Sequence, residues 1–507
     1  MRAARLGLAL LSALLVRLAL PAFDCAPLIL VAWVPLIAAS ASSRPSAALL
    51  LGLVQGFALG LAAHSWLVPA LLRNFPMPFW SAALALFAVA LLVAVRSALV
   101  ACGVSFLRRA VPVWVSFPVL DVVAEIALPG VFPWTNALAV SSLPVWQQAA
   151  AFGGAGAVSA WLCLVNGLLA EAWLRRRSAG SWTASLLRPL LSAGIVLALM
   201  TAFGSLLMRL REAESLAAPR ARIGLGHYDS STAVADAAST LRSLSLVEQR
   251  ASGPPDLWIW PETTVGTPST RRQLLALEND YLRRDRARAS RDVLLGPLLV
   301  GAVLDERGTF ENSAILFGAS GLLEGVYAKH VLMPVGETSE LPFGLRLPNL
   351  FAQRATPFRS GADSPPLRLL GHSLGLSICY EDILADYVSE QARRSHAALL
   401  VNLTSDRWFK GTAAVDFHFA LARMRAVEQR RFLVRSTRDG VSAVVDSAGR
   451  VVLGLPTESS SVVSISVPLL VSPTWAARGA HALAVLFPLT ALGLLAFATL
   501  SRRKTDG

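Results

Sequence analysis

Leu376-Ser377-Ile378-Cys379-Tyr380-Glu381 decides the fold. An apolar run of strand length stops on a thiol, and a helical pattern follows, so the segment reads as a strand-to-helix junction. Outward from it, residues 208–476 repeat the same two signals. Strands are predicted at 221–228, 256–260, 293–304, 312–317, 374–379, 397–403, 432–436, 441–446 and 462–467, with a turn at 305–308. Helical patterns fill 233–249, 383–393 and 416–430. Such interleaving predicts an α/β layered fold with both sheet faces covered.

The chain around this region does not read as soluble. Of its 507 residues 54% are apolar and 16% charged, against roughly a quarter charged in an average soluble chain, and mean hydropathy is +0.55. A fully soluble protein, a disordered chain and a disulfide scaffold are excluded. Apolar runs occur at 6–20, 27–40, 46–63, 80–101, 110–128, 148–172, 186–208 and 479–500. About 20 apolar residues cross a bilayer as a helix. Seven spans before the α/β region and one after are expected, with six plus one as the competing count, because Asp121 and Glu125 interrupt the fifth run. The expected domains are a transmembrane bundle over 1–208, the α/β domain over 209–476, and a C-terminal helix with its tail over 477–507.

Charge supports a membrane partner and not a nucleic acid. Net charge is +13, but residues 208–476 hold 30 basic and 28 acidic side chains, while 1–207 hold 12 and 4. The excess therefore sits beside the hydrophobic runs. With the N-terminus inside, Arg2, Arg5, Arg44, Arg108, Arg109, Arg175, Arg176, Arg177 and Arg188 fall on the cytoplasmic side, and Arg17 and Arg73 outside. This predicts a multi-pass protein of the cytoplasmic (inner) membrane with its α/β domain on the periplasmic side. The first run reads as a retained helix, since no small-residue cleavage site leads into a soluble domain.

Three segments each end an expected strand on a reactive group: Trp258-Ile259-Trp260-Pro261-Glu262, then Tyr327-Ala328-Lys329 followed by Met333-Pro334-Val335-Gly336-Glu337, then the Cys379 junction. The carboxyl ends of strands are where α/β folds gather catalytic groups. Lysine is scarce in this arginine-rich chain, occurring only as Lys329, Lys410 and Lys504, so Lys329 points to a place suited to a compact ammonium. Cys25, Cys102 and Cys163 lie in or beside membrane runs, leaving Cys379 without an intramolecular disulfide partner in its domain. A packed cysteine is the plainer reading of residue type alone. Taken together, Glu262 can accept the thiol proton, Lys329 can raise the thiolate fraction and stabilise an oxyanion, and the Tyr380 N–H can add a donor.

The motifs WPE, YAKH…PVGE, CYE and NLTSDRWF resemble the nitrilase (carbon–nitrogen hydrolase) superfamily. With Ser65-Trp66, Gly130-Val131-Phe132-Pro133-Trp134 and the flanking spans, the whole chain looks like the apolipoprotein N-acyltransferase family. The resemblance implies an αββα sandwich, Glu262 as general base, Lys329 as stabiliser of the tetrahedral intermediate and Cys379 as nucleophile. Glu337, Tyr380 and Glu381 become supporting residues. It also implies transfer of an acyl chain from a membrane phospholipid, through a Cys379 thioester, to the N-terminal amine of a diacylglyceryl apolipoprotein. The expected protein acts as a monomer, with no metal or cofactor. Trp408, Phe409 and the apolar loop 341–350 are candidate substrate-binding, membrane-dipping or lid elements, equally readable as ordinary loop packing. The chain departs from the family pattern at His227-Tyr228-Asp229, Glu311, Val335 and Lys410, around the expected substrate entrance. Alternatives are a membrane-tethered amidase, a diverged paralogue acylating another amine, and a transporter or receptor with an inactive domain.

Overall fold

Leu257, Trp258, Ile259 and Trp260 alternate between two apolar cores, as successive residues of a doubly covered strand must. In the computed structural model, residues 2–128, 130, 132–179, 184–230, 237–269, 293–306, 308–334, 336–338 and 358–506 are described. The chain divides into two compact units: Met1–Arg209 with Thr412–Met424 and Thr474–Gly507, and Leu210–Gly411 with Arg425–Pro473.

In the second unit, the described residues form twelve strands: β1 (Arg220–His227), β2 (Leu257–Ser269), β3 (Leu298–Glu306), β4 (Thr309–Phe317), β5 (Leu323–Ala328), β6 (Arg368–Leu369), β7 (His372–Ile378), β8 (Leu399–Ser405), β9 (Leu433–Arg438), β10 (Ala443–Val445), β11 (Val451–Gly454) and β12 (Ser461–Pro468). They make two six-stranded sheets, ordered β12-β1-β2-β3-β4-β5 and β11-β10-β9-β8-β7-β6. At their centres β1, β2 and β3 run parallel, as do β7, β8 and β9. Ile223, Ile259 and Leu299 of one sheet share an apolar cluster with Ile378, Val401 and Val434 of the other. Leu241 of helix Ala237–Ser252 packs with Trp258 and Trp260 on the outer face of the first sheet. Helix Ala385–Ser395 covers β7. The result is the αββα sandwich of the nitrilase-like fold.

Two local departures from the expected elements have physical causes. The strand of Trp258 continues through Pro261 to Ser269, and its pairing with β3 slips between Trp260 and Val265. Proline donates no ladder hydrogen bond, so the strand bulges there. Glu262 therefore sits inside a bulge and not beyond a strand end. β5, β6 and β11 add to the expected set; the latter two are too short to leave a periodic signal, and Glu324 and Gly325 break the apolar pattern of β5. Loop 341–350 lies outside the described residues.

The first unit is helical. Among the described residues, helices Pro45–His64, Phe79–Leu107, Ala150–Arg176, Leu186–Ala217 and Ala476–Ser501 are long and apolar enough to cross a membrane. Helix Arg2–Ala19 carries three arginines, Ala26–Ala41 is two short pieces, and Val113–Ala127 spans 15 residues. Asp121 and Glu125 of this last helix meet Arg96 at 3.4 and 3.3 Å, and Asn136 donates to Asp121 at 2.7 Å. Carboxylates inside a membrane bundle require such partners. Small residues bring Pro45–His64 against Phe79–Leu107: a Cβ on Gly56 would lie 2.6 Å from Ala94 Cα. Gly56→Leu must therefore drive the two helices apart, at an overpacking cost of about 1–3 kcal/mol. A thermal scan of the purified protein in detergent should show a lower melting temperature for this variant, whereas Leu at Gly194, with nothing within 4 Å of its Cβ position, should leave it unchanged.

Candidate active site

Three strand systems deliver the reactive groups. Glu262 occupies the β2 bulge, Lys329 directly follows β5, and Cys379 directly follows β7. All three are buried, with 5, 1 and 8% exposure respectively. Thr263, next to Glu262, and Cys379 itself adopt left-handed backbone with φ of 50° and 51°. Such strained positions in non-glycine residues persist only where surrounding contacts fix them. β3 approaches the bulge closely at Gly301, where a Cβ would lie 2.5 Å from Glu262 Cα.

The side chains interlock through Asn312 and Glu337. Lys329 Nζ pairs with Glu337 Oε2 at 2.7 Å, and that oxygen also accepts the Met333 N–H at 2.8 Å. Asn312 Nδ2 donates to Glu262 Oε1 at 2.6 Å and to Glu337 Oε1 at 3.1 Å. Glu262 Oε2 is buried without a hydrogen-bond partner among the described residues. It is the oxygen left to receive a proton. Glu381 is committed elsewhere: it accepts the Tyr327 hydroxyl at 2.7 Å and the N–H groups of His330 (2.6 Å), Val331 (3.0 Å) and Ile378 (2.7 Å). It thereby ties the turn of Cys379 to the segment of Lys329. Cys379–Ile383 is a short 3₁₀ turn, and the longer helix begins at Ala385. Tyr380, in that turn, is buried, and burial raises its hydroxyl pKa to about 12.

Electrostatics divide the labour. Burial raises the Glu262 carboxyl to about 7; the Lys329 charge opposes this and Glu337 reinforces it. Burial would also raise Glu337, but the Lys329 charge and hydrogen bond, with the Met333 N–H and the Asn312 amide, together hold that carboxyl below its ordinary range. Lys329 would be lowered by burial, yet Glu337, Cys379 and Glu262 together hold its ammonium above the usual value. The Cys379 thiol is pushed up, first by burial and then by Glu262, with Lys329 only partly compensating. The resting sulfur is therefore protonated. Lys329 favours the thiolate, as expected of a nearby cation, but burial and the neighbouring carboxylate outweigh it.

Of the two expected substrate-binding aromatics, Phe409 is buried and Trp408 partly exposed. A Cβ on Gly336 would lie 3.5 Å from Trp408 Cη2, so this ring stands beside the segment carrying Glu337. Sequence reasoning missed Asn312 and Arg435 as site residues. Asn312 left one signal, an amide opening the apolar run of 312–317. Arg435 left none, since its partners Asp382 and Asp406 come from distant segments.

The carbon-nitrogen hydrolase family model matches residues 224–476, and the apolipoprotein N-acyltransferase N-terminal domain model matches residues 12–168. An apolipoprotein N-acyltransferase of Shewanella oneidensis is 29% identical over 238 residues, covering 44% of either chain. One of Ralstonia nicotianae is 31% identical over 255 residues, covering 49% of this chain and 47% of its own. The chain thus spans about half the length of the relatives it matches. Among solved structures, the C. elegans NitFhit protein aligns at a TM-score of 0.39 and 19% identity, covering 54% of this chain and 65% of its own. A carbon-nitrogen hydrolase of Helicobacter pylori aligns at 0.36 and 13%, covering 53% and 93%.

Because Asn312 donates to the charged form of Glu262, its loss must raise that carboxyl further. In Asn312→Ala the pH midpoint for alkylation of Cys379, near 7 in the parent by the Glu262 value, should move up by about one unit, the worth of one hydrogen bond to a charged group. An unmoved midpoint would show that Glu262 does not govern the thiol.

Proposed function

On the premise that the chain belongs to the carbon–nitrogen hydrolase family and carries the N-terminal domain of the apolipoprotein N-acyltransferases, we propose that it moves an acyl chain from a membrane phospholipid to the N-terminal amine of a diacylglyceryl lipoprotein. The observation that carries this reading is the buried cluster of Glu262, Lys329 and Cys379 in a chain that also holds a membrane-spanning bundle. An enzyme acting only on soluble amides needs no such bundle.

Cys379 Sγ attacks the ester carbonyl while Glu262 Oε2 takes the thiol proton. Lys329 stabilises the negative oxygen of the tetrahedral intermediate, with Glu337 holding the ammonium in place. Collapse breaks the ester C–O bond, and Glu262 returns its proton to the departing lysophospholipid. In the second half, the neutral amine attacks the thioester, Glu262 accepts the amine proton, and the leaving sulfur recovers it as the amide forms. Glu381 and Tyr380 support the turn that carries the sulfur, and Trp408 contributes to substrate binding. The domain works on the periplasmic side of the cytoplasmic membrane, as a monomer and without nucleic acid.

A carboxyl near 7 sets the pH dependence. Its base form is lost as pH falls, so acylation should drop about tenfold per unit well below pH 7 and level off above it. Incubation of the full-length protein with phospholipid vesicles should add one acyl mass to Cys379, removable by hydroxylamine and missing in Cys379→Ala. Glu262→Gln should slow the adduct by roughly 10²–10⁴-fold, the range of general-base catalysis. Release of free fatty acid in place of transfer to a lipopeptide amine would identify a hydrolase instead.

A further inference from the structure

Lys410 is one of three lysines in the chain, and the chemistry above leaves it unused. Its ammonium bridges two carboxylates, Asp229 and, at 2.8 Å, Asp439. Both carboxylates are buried, whereas the lysine side chain is 35% exposed. The acids are also fixed from behind. Asp229 follows β1 and Asp439 follows β9, and these strand ends are joined by Tyr228 N–H donating to Thr437 O (3.2 Å) and Asp439 N–H donating to Tyr228 O (2.9 Å). Ser230 donates to Asp439 through both its N–H (2.9 Å) and its hydroxyl (2.6 Å). Against these anchored carboxylates, Lys410 is the movable partner.

The same short turn is gripped at its other end. Asp406 Oδ2 accepts two N–H groups of Arg435, each at 3.3 Å, and the guanidinium also reaches Asp382 at 3.2 Å and Val441 O at 2.9 Å. Arg435 lies within β9 and Asp439 just after it. Both ends of the 406–410 turn are therefore held by ion pairs to one strand, and Trp408 lies midway between them. Its ring stands beside Gly336, which precedes Glu337, the partner of Lys329.

We propose that Lys410 is a positioning residue whose ion pairs with Asp229 and Asp439 fix the Trp408 turn against the Gly336–Glu337 segment, and so set how tightly the acyl donor is held at Cys379. The inference deepens the acyl-transfer reading and rests on it. A side chain that only neutralised two buried acids would affect folding and nothing else. A lysine that acts through Trp408 affects substrate affinity even when the acids are neutralised by other means.

The test is the rate of Cys379 adduct formation in the full-length protein, read by intact mass against phospholipid mole fraction in mixed micelles. In Lys410→Met the half-saturating mole fraction should rise about five- to tenfold, by more than the saturating rate falls. The triple variant Lys410→Met/Asp229→Asn/Asp439→Asn removes both buried carboxylates with the ammonium and leaves only Arg438, 3.8 Å from Asp439, to turn to solvent; its melting temperature should recover in part while the raised half-saturation persists. Trp408→Ala should reproduce the rise, and adding it to Lys410→Met should change the result by less than about twofold, since residues acting as one unit are not additive. Parental half-saturation in the triple variant, or independent multiplying effects of Trp408→Ala and Lys410→Met, would overturn the proposal. Failure of the parent protein to form any adduct would instead reject acyl transfer itself, and the positioning role with it.

Discussion

An ammonium at 1% exposure cannot be carried in a protein interior without a close anion, because the desolvation cost of an unpaired charge there is several kcal/mol. Lys329 meets that requirement through Glu337, and the pairing organises the rest of the site. Glu337 is held in turn by the Met333 N–H and by Asn312. Asn312 reaches across to Glu262, and its own carbonyl accepts the Lys329 N–H at 2.8 Å. One strand residue thus contacts the Lys329 backbone, Glu337 and Glu262 together. Such a buried polar network becomes costly with any member missing, and this one leaves Glu262 Oε2 and Asn312 Oδ1 without hydrogen-bond partners among the described residues.

The backbone makes a second demand. Cys379 and Thr263 are both held in left-handed geometry, which a side chain with a Cβ adopts only under external constraint. For Cys379 the constraint is Glu381, whose two oxygens take a hydroxyl and three N–H groups from both sides of the site. For Thr263 it is the bulge at Pro261, together with the approach of β3 at Gly301, where no larger residue leaves room for Glu262. Cys379 and Glu262 are therefore presented by strained turns locked by their neighbours, which would keep the proposed nucleophile and base in place before substrate arrives.

These mechanics explain what the sequence could disclose. Apolar strands that stop on a polar group are local patterns, so Cys379 and Lys329 were readable as candidates, as was the alternation of strand and helix that yields the sandwich; Glu262 was readable only as a polar group after Pro261, since its strand runs on to Ser269. The bulge at Pro261 was half readable: the proline was visible, but not the continuation of the strand beyond it. Contacts between distant segments left no periodic trace. Asn312 and Glu262 are 50 residues apart, and Arg435 and Asp382 are 53 apart. For the same reason Asp121 and Glu125 looked like flaws in a membrane helix until Arg96, 25 and 29 residues away, supplied their partner.

Among the described residues, several clusters set one cation among two carboxylates, including Arg96 with Asp121 and Glu125, Arg435 with Asp382 and Asp406, Lys410 with Asp229 and Asp439, and Lys329 with Glu337 and Glu262. In the first three the cation touches both acids, and each arrangement is a structural tie. At Lys329 the ammonium is spent on Glu337, and Glu262 makes no ion-pair contact with it among the described residues. An acid so buried and so incompletely compensated must rise, and Glu262 rises to about 7. Leaving one carboxylate out of contact is what gives an otherwise ordinary charge cluster a carboxyl that can exchange a proton near neutral pH, as the proposed base must.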